Sequence, residues 1–321
     1  MSRLWSIAAY FNPCRYRSRI ESYRIFRERL QTPLLTVELS FEEPFELGPG
    51  SAEILVQKRG GDVMWQKERL LNIALEHLPG ECDAVAWLDS DILFTDDGWP
   101  ARAQRALEQC PLIQPFSTCR DQLARESGGL TEPAPSYAAC RRVGVFPERV
   151  FTYDREGRPR KRNFAPGFAW AARRELIERV RFYDGSILGG GDMALVNAGM
   201  GRIDDEIRFR MPSQDHARHY RSWAEPFRQA LGGEIGHIPG EVIHLWHGDL
   251  RDRQYRARHE DFARFAFDPG RDIALDADGC WRWASEKPAL HAFVRDHFTL
   301  RNEDGNGDDR NPGPAGVDRT R

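Results

Sequence analysis

The chain has 321 residues, 40% of them hydrophobic and 30% charged, with a formal net charge of −3 and a pI near 6.3. This length and apolar content allow a sizeable core. The near-neutral charge excludes general electrostatic capture of nucleic acid, which needs a strongly basic surface.

No run approaches the roughly 18 apolar residues that span a bilayer, and Met1 to Ala9 lacks a signal-peptide core and cleavage site. The six cysteines are scattered without a CxxC pair and read as reduced thiols, so the expected location is the cytoplasm. The amino terminus is locally basic. Arg15, Arg17, Arg19, Arg24, Arg27 and Arg29 form either the solvated face of a helix or a patch for phosphate or anionic lipid, which would allow peripheral membrane contact.

In chain order, the apolar run Leu4 to Phe11 predicts a buried strand, ended by Asn12-Pro13. Ile20, Tyr23, Phe26 and Leu30 have helical spacing. Leu34 to Leu39 and Ile54 to Gln57 predict two strands. Trp65 to Leu78 predicts a helix stopped by Pro79-Gly80, and Ala84 to Leu88 a strand that runs into Asp89. This alternation argues for an α/β domain with a mainly parallel sheet. Trp99 to Cys110 is expected to be a helix and Gln114 to Thr118 a strand. Residues 121–163 have weak periodicity and read as loops on a substrate side. A strand over Phe168 to Ala172, helices over 174–181, 193–198 and about 214–231, and a strand over Val242 to Trp246 complete the pattern. From about Arg301 the composition cannot bury enough apolar surface to order itself. The expectation is one domain over 1–300, with a nucleotide-binding half (1–120), an acceptor-binding half (121–300) and a disordered tail over 301–321.

Parallel sheets bind ligands outside the carboxyl ends of their strands, and three features fall there or on nearby loops. Asp89-Ser90-Asp91 follows the strand of five apolar residues; two carboxylates at a strand end suit Mg²⁺ or Mn²⁺ bridging a diphosphate, or they simply end the strand. His244-Leu245-Trp246-His247-Gly248 places two imidazoles three apart. They can share a metal only if the strand bends; otherwise one is a core and one a surface histidine. Mixed carboxylate and imidazole ligation favours Mn²⁺. Gly189-Gly190-Gly191-Asp192 opens the backbone to substrate before a helix, where Asp192 is either an N-cap or a general base. Trp246 and Trp170 could stack on a sugar face or be buried in the core.

The order of WQKERLLNIA (Trp65 to Ala74), VAWLDSDILF (Val85 to Phe94), GFAWAARREL (Gly167 to Leu176), GGGD and HLWHG resembles the β-1,4-galactosyltransferase family and its GT-A relatives over roughly residues 4–260. The resemblance implies a GT-A-like fold, that is, a mixed, mainly parallel sheet flanked by helices. It implies a metal-dependent, inverting hexosyltransferase using a nucleotide-sugar donor, with a uridine diphosphate leaving group, and a glycan or other hydroxyl acceptor. Carried over residue by residue, Asp91 and His247 match metal ligands, with His244 where the family has a Met. Asp89 matches a donor contact and Asp192 the catalytic base. Gly191 stands where the family has an acceptor-binding Glu, beside Gly190. Lys67 and Asn72 match the helix motif in type only. Tyr10, Phe11 and Asn12 occupy the nucleotide-contacting strand end without matching its Pro-Phe-Arg. Two other readings stay open: a haloacid-dehalogenase-type phosphohydrolase, weakened by Ile92-Leu93 after the DxD, and a non-catalytic sugar-nucleotide- or glycan-binding protein.

Overall fold

The computed structural model describes residues 3–125, 128–144, 149–155, 159–232, 235–254 and 257–305. Strand β1 (Arg3–Phe11) is followed by helix α1 (Arg17–Glu28), strands β2 (Leu34–Ser40) and β3 (Ile54–Arg59), helix α2 (Lys67–Glu76) and strand β4 (Cys82–Leu88). The main sheet has seven strands. Its order is Ile235–His237, Leu112–Gln114, Ala169–Arg173, β4, β1, β2, β3. Every pairing is parallel except those of Ala169–Arg173, which runs antiparallel to both neighbours. The fold is therefore α/β with a mixed, mainly parallel sheet.

Side-chain alternation along the strands divides the core into two layers. Ile7 and Trp87 point to one face, where they meet Leu70, Leu71 and Leu75 of α2 together with the helices Gly191–Gly199 and Gln214–Leu231. Ala8, Ala86 and Leu88 point to the other, against Tyr23 and Phe26 of α1 and Trp99, Ala103 and Leu107 of the helix Trp99–Leu107. Among the described residues, no helix is long and apolar enough to cross a membrane.

A second sheet decides where the functional side chains meet. Its order is Ile92–Phe94, Glu241–His244, Thr118–Asp121, Ala134–Pro135. The expected strand over Gln114 to Thr118 does not form. Leu112–Gln114 belongs to the main sheet and Thr118–Asp121 to the second, and Pro115, which has no N–H to give a ladder, lies between them. The expected strand Val242 to Trp246 stops at His244: Leu245 still gives its N–H to the Asp91 carbonyl (2.8 Å), but the Trp246 N–H goes to the Gln122 side chain (3.1 Å) as the chain turns toward His247. Residues 121–163 are not all loop: they hold the helix Tyr137–Arg142 and the strand pair Phe151–Tyr153 and Pro159–Arg162, each too short for periodicity to reveal. The helix Ile203–Arg210 also escaped the pattern, since it buries only Ile203 and Glu206.

The composition-defined tail begins too early. Arg301 and Glu303 are buried, and the Asp304 carboxylate accepts the N–H groups of Arg17 (3.0 Å) and Ser18 (2.8 Å), capping α1 from the far end of the chain. A few charged residues can order themselves where their charges are met by a preformed helix terminus and buried arginines. Residues 306–321 lie outside the described residues.

Candidate active site

A cavity of about 830 Å³ opens at the carboxyl ends of β1 and β4, lined by Ala9 and Phe11 of the first and by Leu88 to Asp91 after the second. Tyr10, on the opposite face of β1, is buried and donates its hydroxyl to Glu46 (2.7 Å), so it does not reach the cavity. Asn12 is also absent from the lining; its amide bonds the Tyr16 carbonyl and Glu46. Asn72 lies on a buried face of α2 and holds the Phe182 backbone at both N–H and C=O, together with Asp184. Of the candidates Tyr10, Phe11, Asn12 and Asn72, only Phe11 lines the cavity. Trp246 is likewise outside it, packed where a Cβ on Gly305 would touch its ring, and Trp170 is buried in the core.

The second sheet assembles a candidate metal group. Its register sets His244 opposite Asp121 on one side and Ile92, next to Asp91, on the other. The bend after His244 then returns His247. Asp91, His244 and His247 each offer a ligand atom, all within 4.8 Å of one another. His247 Nε2 lies 3.0 Å from Asp91 Oδ2 and 3.1 Å from His244 Nε2. The remaining ring nitrogens face carboxylates: His244 Nδ1 bonds Asp121 (2.8 Å), itself forked by Arg162, and His247 Nδ1 is 3.6 Å from Glu303. Metal-binding imidazoles are oriented in this way. Asp91 Oδ1 is buried without a hydrogen-bond partner, so these residues fit a divalent cation held by one oxygen and two nitrogens. Arg253 Nη2 stands 2.8 Å from His247 Nε2, and that nitrogen's lone pair can serve either the guanidinium or a cation.

Charges in this group are settled by neighbours. Burial alone would raise the Asp91 carboxyl, but His247, His244 and Arg253 hold it well below its usual range. Burial lowers His244, keeping it neutral as ligation requires. Glu303 would be raised by burial, yet Arg19 and Arg301 keep it ionised. Gly248, at φ +87°, gives room to this arrangement: a Cβ there would meet Glu303 Cα at 2.8 Å.

A second charged group adjoins the first. Lys67, at the start of α2, lies 2.5 Å from Asp89 and 3.3 Å from Asp192. Despite burial its ammonium is held protonated by Asp192, Asp89 and Glu68. Asp192 is raised to about 6 by burial, which Lys67 opposes and Asp89 reinforces. It makes no N-cap bond: Gly190, in the left-handed region at φ +98°, occupies the cap of the helix Gly191–Gly199. Gly167 leaves the space Asp192 uses, since a Cβ there would fall 2.6 Å from its Oδ2. The next residue, Phe168, sits at φ +78°, strained for a bulky side chain, with its ring stacked on His244 (4.7 Å). Gly190 lines the cavity; Gly191 does not, because a Cβ there would overlap the buried carboxyl of Glu68. Glu68 is raised to about 8 by burial, against the pull of Lys67.

Sequence reasoning missed Asp121, Glu303, Glu68 and the cavity arginines. Asp121 and Glu303 act across long sequence separations with no local motif. Arg19, assigned to a basic surface patch, instead turns inward, lining the cavity and forking Glu303, whereas Arg15, Arg17, Arg24 and Arg29 are exposed.

No family model matches the chain, and no curated protein matches its sequence. Solved structures do. Glucosyl-3-phosphoglycerate synthase from Mycobacterium tuberculosis, in complex with Mn²⁺, uridine diphosphate and phosphoglyceric acid, is 16% identical over 85% of this chain and 82% of its own, with a TM-score of 0.40. The mannosyltransferase PcManGT from Pyrobaculum calidifontis, in complex with GDP-Man and Mn²⁺, is 17% identical over 93% and 73%, with a TM-score of 0.41. The catalytic domain of Drosophila beta1,4galactosyltransferase 7, complexed with xylobiose, is 10% identical over 92% and 99%, with a TM-score of 0.36. Likeness at this level concerns the fold only, and the fold class stands on the strand order itself.

Proposed function

We propose that this chain is a metal-dependent, inverting glycosyltransferase that moves a hexose from a nucleotide-diphosphate sugar, UDP-linked in the first instance, to an acceptor hydroxyl. One observation carries the reading: a candidate three-ligand cation group and a partly buried carboxylate of raised pKa share one cavity at the carboxyl ends of parallel strands. A cation such as Mn²⁺ (or Mg²⁺), held by Asp91, His244 and His247, would supply Lewis-acid neutralisation of the departing diphosphate. Arg19, Arg253 and Arg301 line the same part of the cavity and would hold donor phosphate oxygens. Asp192 would take the proton of the acceptor hydroxyl as it attacks the anomeric carbon from the face opposite the leaving group, which inverts the configuration. Lys67 would fix Asp192 and Asp89 relative to each other.

Calorimetric titration of Mn²⁺ and UDP tests the reading. Binding of UDP should require the metal, vanish in Asp91→Ala and weaken at least about tenfold in His247→Ala. Wild-type affinity in both variants would sink it. Mn²⁺-dependent thermal stabilisation by a panel of nucleotide sugars would then identify the donor, and turnover of that donor would separate an enzyme from a non-catalytic binder.

A further inference from the structure

His247 Nε2 has three close neighbours at once: Asp91 Oδ2 at 3.0 Å, His244 Nε2 at 3.1 Å and Arg253 Nη2 at 2.8 Å. A neutral imidazole has one ring nitrogen that donates and one that accepts, and the surroundings decide which is which. His244 gives its Nδ1–H to Asp121 (2.8 Å), which leaves a lone pair on its Nε2. Guanidinium nitrogens only donate. The short contact with Arg253 therefore requires a lone pair on His247 Nε2 as well, and it puts the His247 proton on Nδ1, the side that faces Glu303 (3.6 Å).

Three acceptor atoms, one each from Asp91, His244 and His247, thus converge within 4.8 Å, and buried lone pairs that face one another need a positive partner. The guanidinium of Arg253 supplies one: it touches His247 and helps to keep the Asp91 carboxyl ionised. A divalent cation held by the same three residues would use the same lone pair of His247. One lone pair serves one partner, so guanidinium and cation exclude each other at this nitrogen. Arg253 closes the single turn Leu250–Arg253 and lines the cavity, so its long side chain has space to leave His247 by rotating about its own bonds.

We propose that Arg253 couples the cation to the donor: its guanidinium and the cation compete for the His247 Nε2 lone pair, and a nucleotide diphosphate that draws the guanidinium onto its phosphate oxygens tips the exchange toward the cation. The guanidinium fork matches phosphate oxygens in bidentate fashion. Such coupling is reciprocal, so the factor that UDP adds to Mn²⁺ affinity is the factor that Mn²⁺ adds to UDP affinity. The coupling rests on the transferase reading, which supplies the diphosphate; the competition at His247 needs only the cation group.

The test is calorimetric titration of Mn²⁺ into the full chain, without nucleotide and with saturating UDP. Arg253→Met keeps an unbranched side chain and removes the guanidinium. Without nucleotide it should bind Mn²⁺ at least about tenfold more tightly than the wild type, and UDP should then add a smaller factor than it adds in the wild type. Arg253→Lys keeps the charge on a shorter stem and should gain in the same direction. Removing an arginine of merely structural role would lower Mn²⁺ affinity, so a gain does not arise from damage to the fold. Unchanged or weaker Mn²⁺ binding in Arg253→Met overturns the proposal, and so does an undiminished UDP factor. A gain in Arg253→Met that Arg253→Lys lacks overturns it too, since repulsion of like charges would then suffice without a contest for one lone pair. Any of these results with Mn²⁺ still bound by the wild type sinks this proposal alone. If the wild type and both variants fail to bind Mn²⁺ even with UDP, the cation group fails, and the transferase reading falls together with the coupling.

Discussion

Asp192 and Gly191 are adjacent and carry opposite lessons. Asp192 has neither a capping bond nor full exposure; it is held half-buried at the cavity wall by Lys67 and the gap above Gly167. Asn keeps the shape and polarity but not the basicity. Asp192→Asn is therefore expected to keep the melting temperature and donor affinity while losing about 10²- to 10⁴-fold in turnover. Only the deprotonated carboxylate is a base, so wild-type kcat/KM should rise with pH through about 6. Transfer within a few-fold of wild type, or a flat profile, would place the base elsewhere. Gly191 answers to packing. A methyl group there collides with the Glu68 carboxyl, and Gly191→Ala should lose roughly 1–3 kcal/mol of stability in urea unfolding. An unchanged midpoint would show that Glu68 swings away freely. The acceptor-binding Glu that the galactosyltransferase resemblance places at this position would need the same space.

At the scale of elements, the segment after the helix Pro288–Leu300 braces two distant parts at once. Asp304 caps α1, and Glu303 sits under Arg19, Arg301 and His247. Removing a cap costs about 1 kcal/mol, and leaving Arg19 buried without its carboxylate costs about 3–5 kcal/mol. Truncation after Leu300 should lower the melting temperature by several degrees and weaken Mn²⁺ binding. Truncation after Gly305, which removes only residues whose composition offers no core, should change neither. Equal behaviour of the two truncations in differential scanning calorimetry would refute the brace.

The whole molecule carries a pH dependence through its buried histidines. His216, set between Tyr183 and Phe267, is lowered to about 3 by burial and His219, and His297 is lowered to about 2 by burial and Arg258. An unfolded chain binds these protons near pH 6.5, whereas the folded chain does not. Between these values the unfolded state holds more protons, so stability is complete above about 6.5 and falls as pH drops, by about 1.4 kcal/mol per unit for each histidine. Urea midpoints measured from pH 7 to 5 should decline, and His216→Leu should decline less steeply. A parallel slope in the variant would exclude His216 as a contributor.

What could be read without coordinates was local and periodic: the strand–helix alternation to Leu88, the helix Gln214–Leu231, and the positions of Asp89, Asp91, His244, His247 and Asp192 at element ends. These are legible because hydrophobic period and chain-breaking residues act over a few neighbours. Tertiary structure alone decided which of them meet. Whether His244 and His247 share a ligand depended on the bend after His244, and their meeting with Asp91 on the pairing of their strand with Ile92–Phe94, a segment about 150 residues away in sequence. Asp121, Glu303 and the inward turn of Arg19 had no local signal, since each is fixed by a partner on another element. Tyr10 and Asn72, plausible donor contacts by motif, were taken by Glu46 and by the Phe182 backbone. A polar side chain serves whichever partner the fold brings closest, and the periodicity of a sequence does not encode that distance.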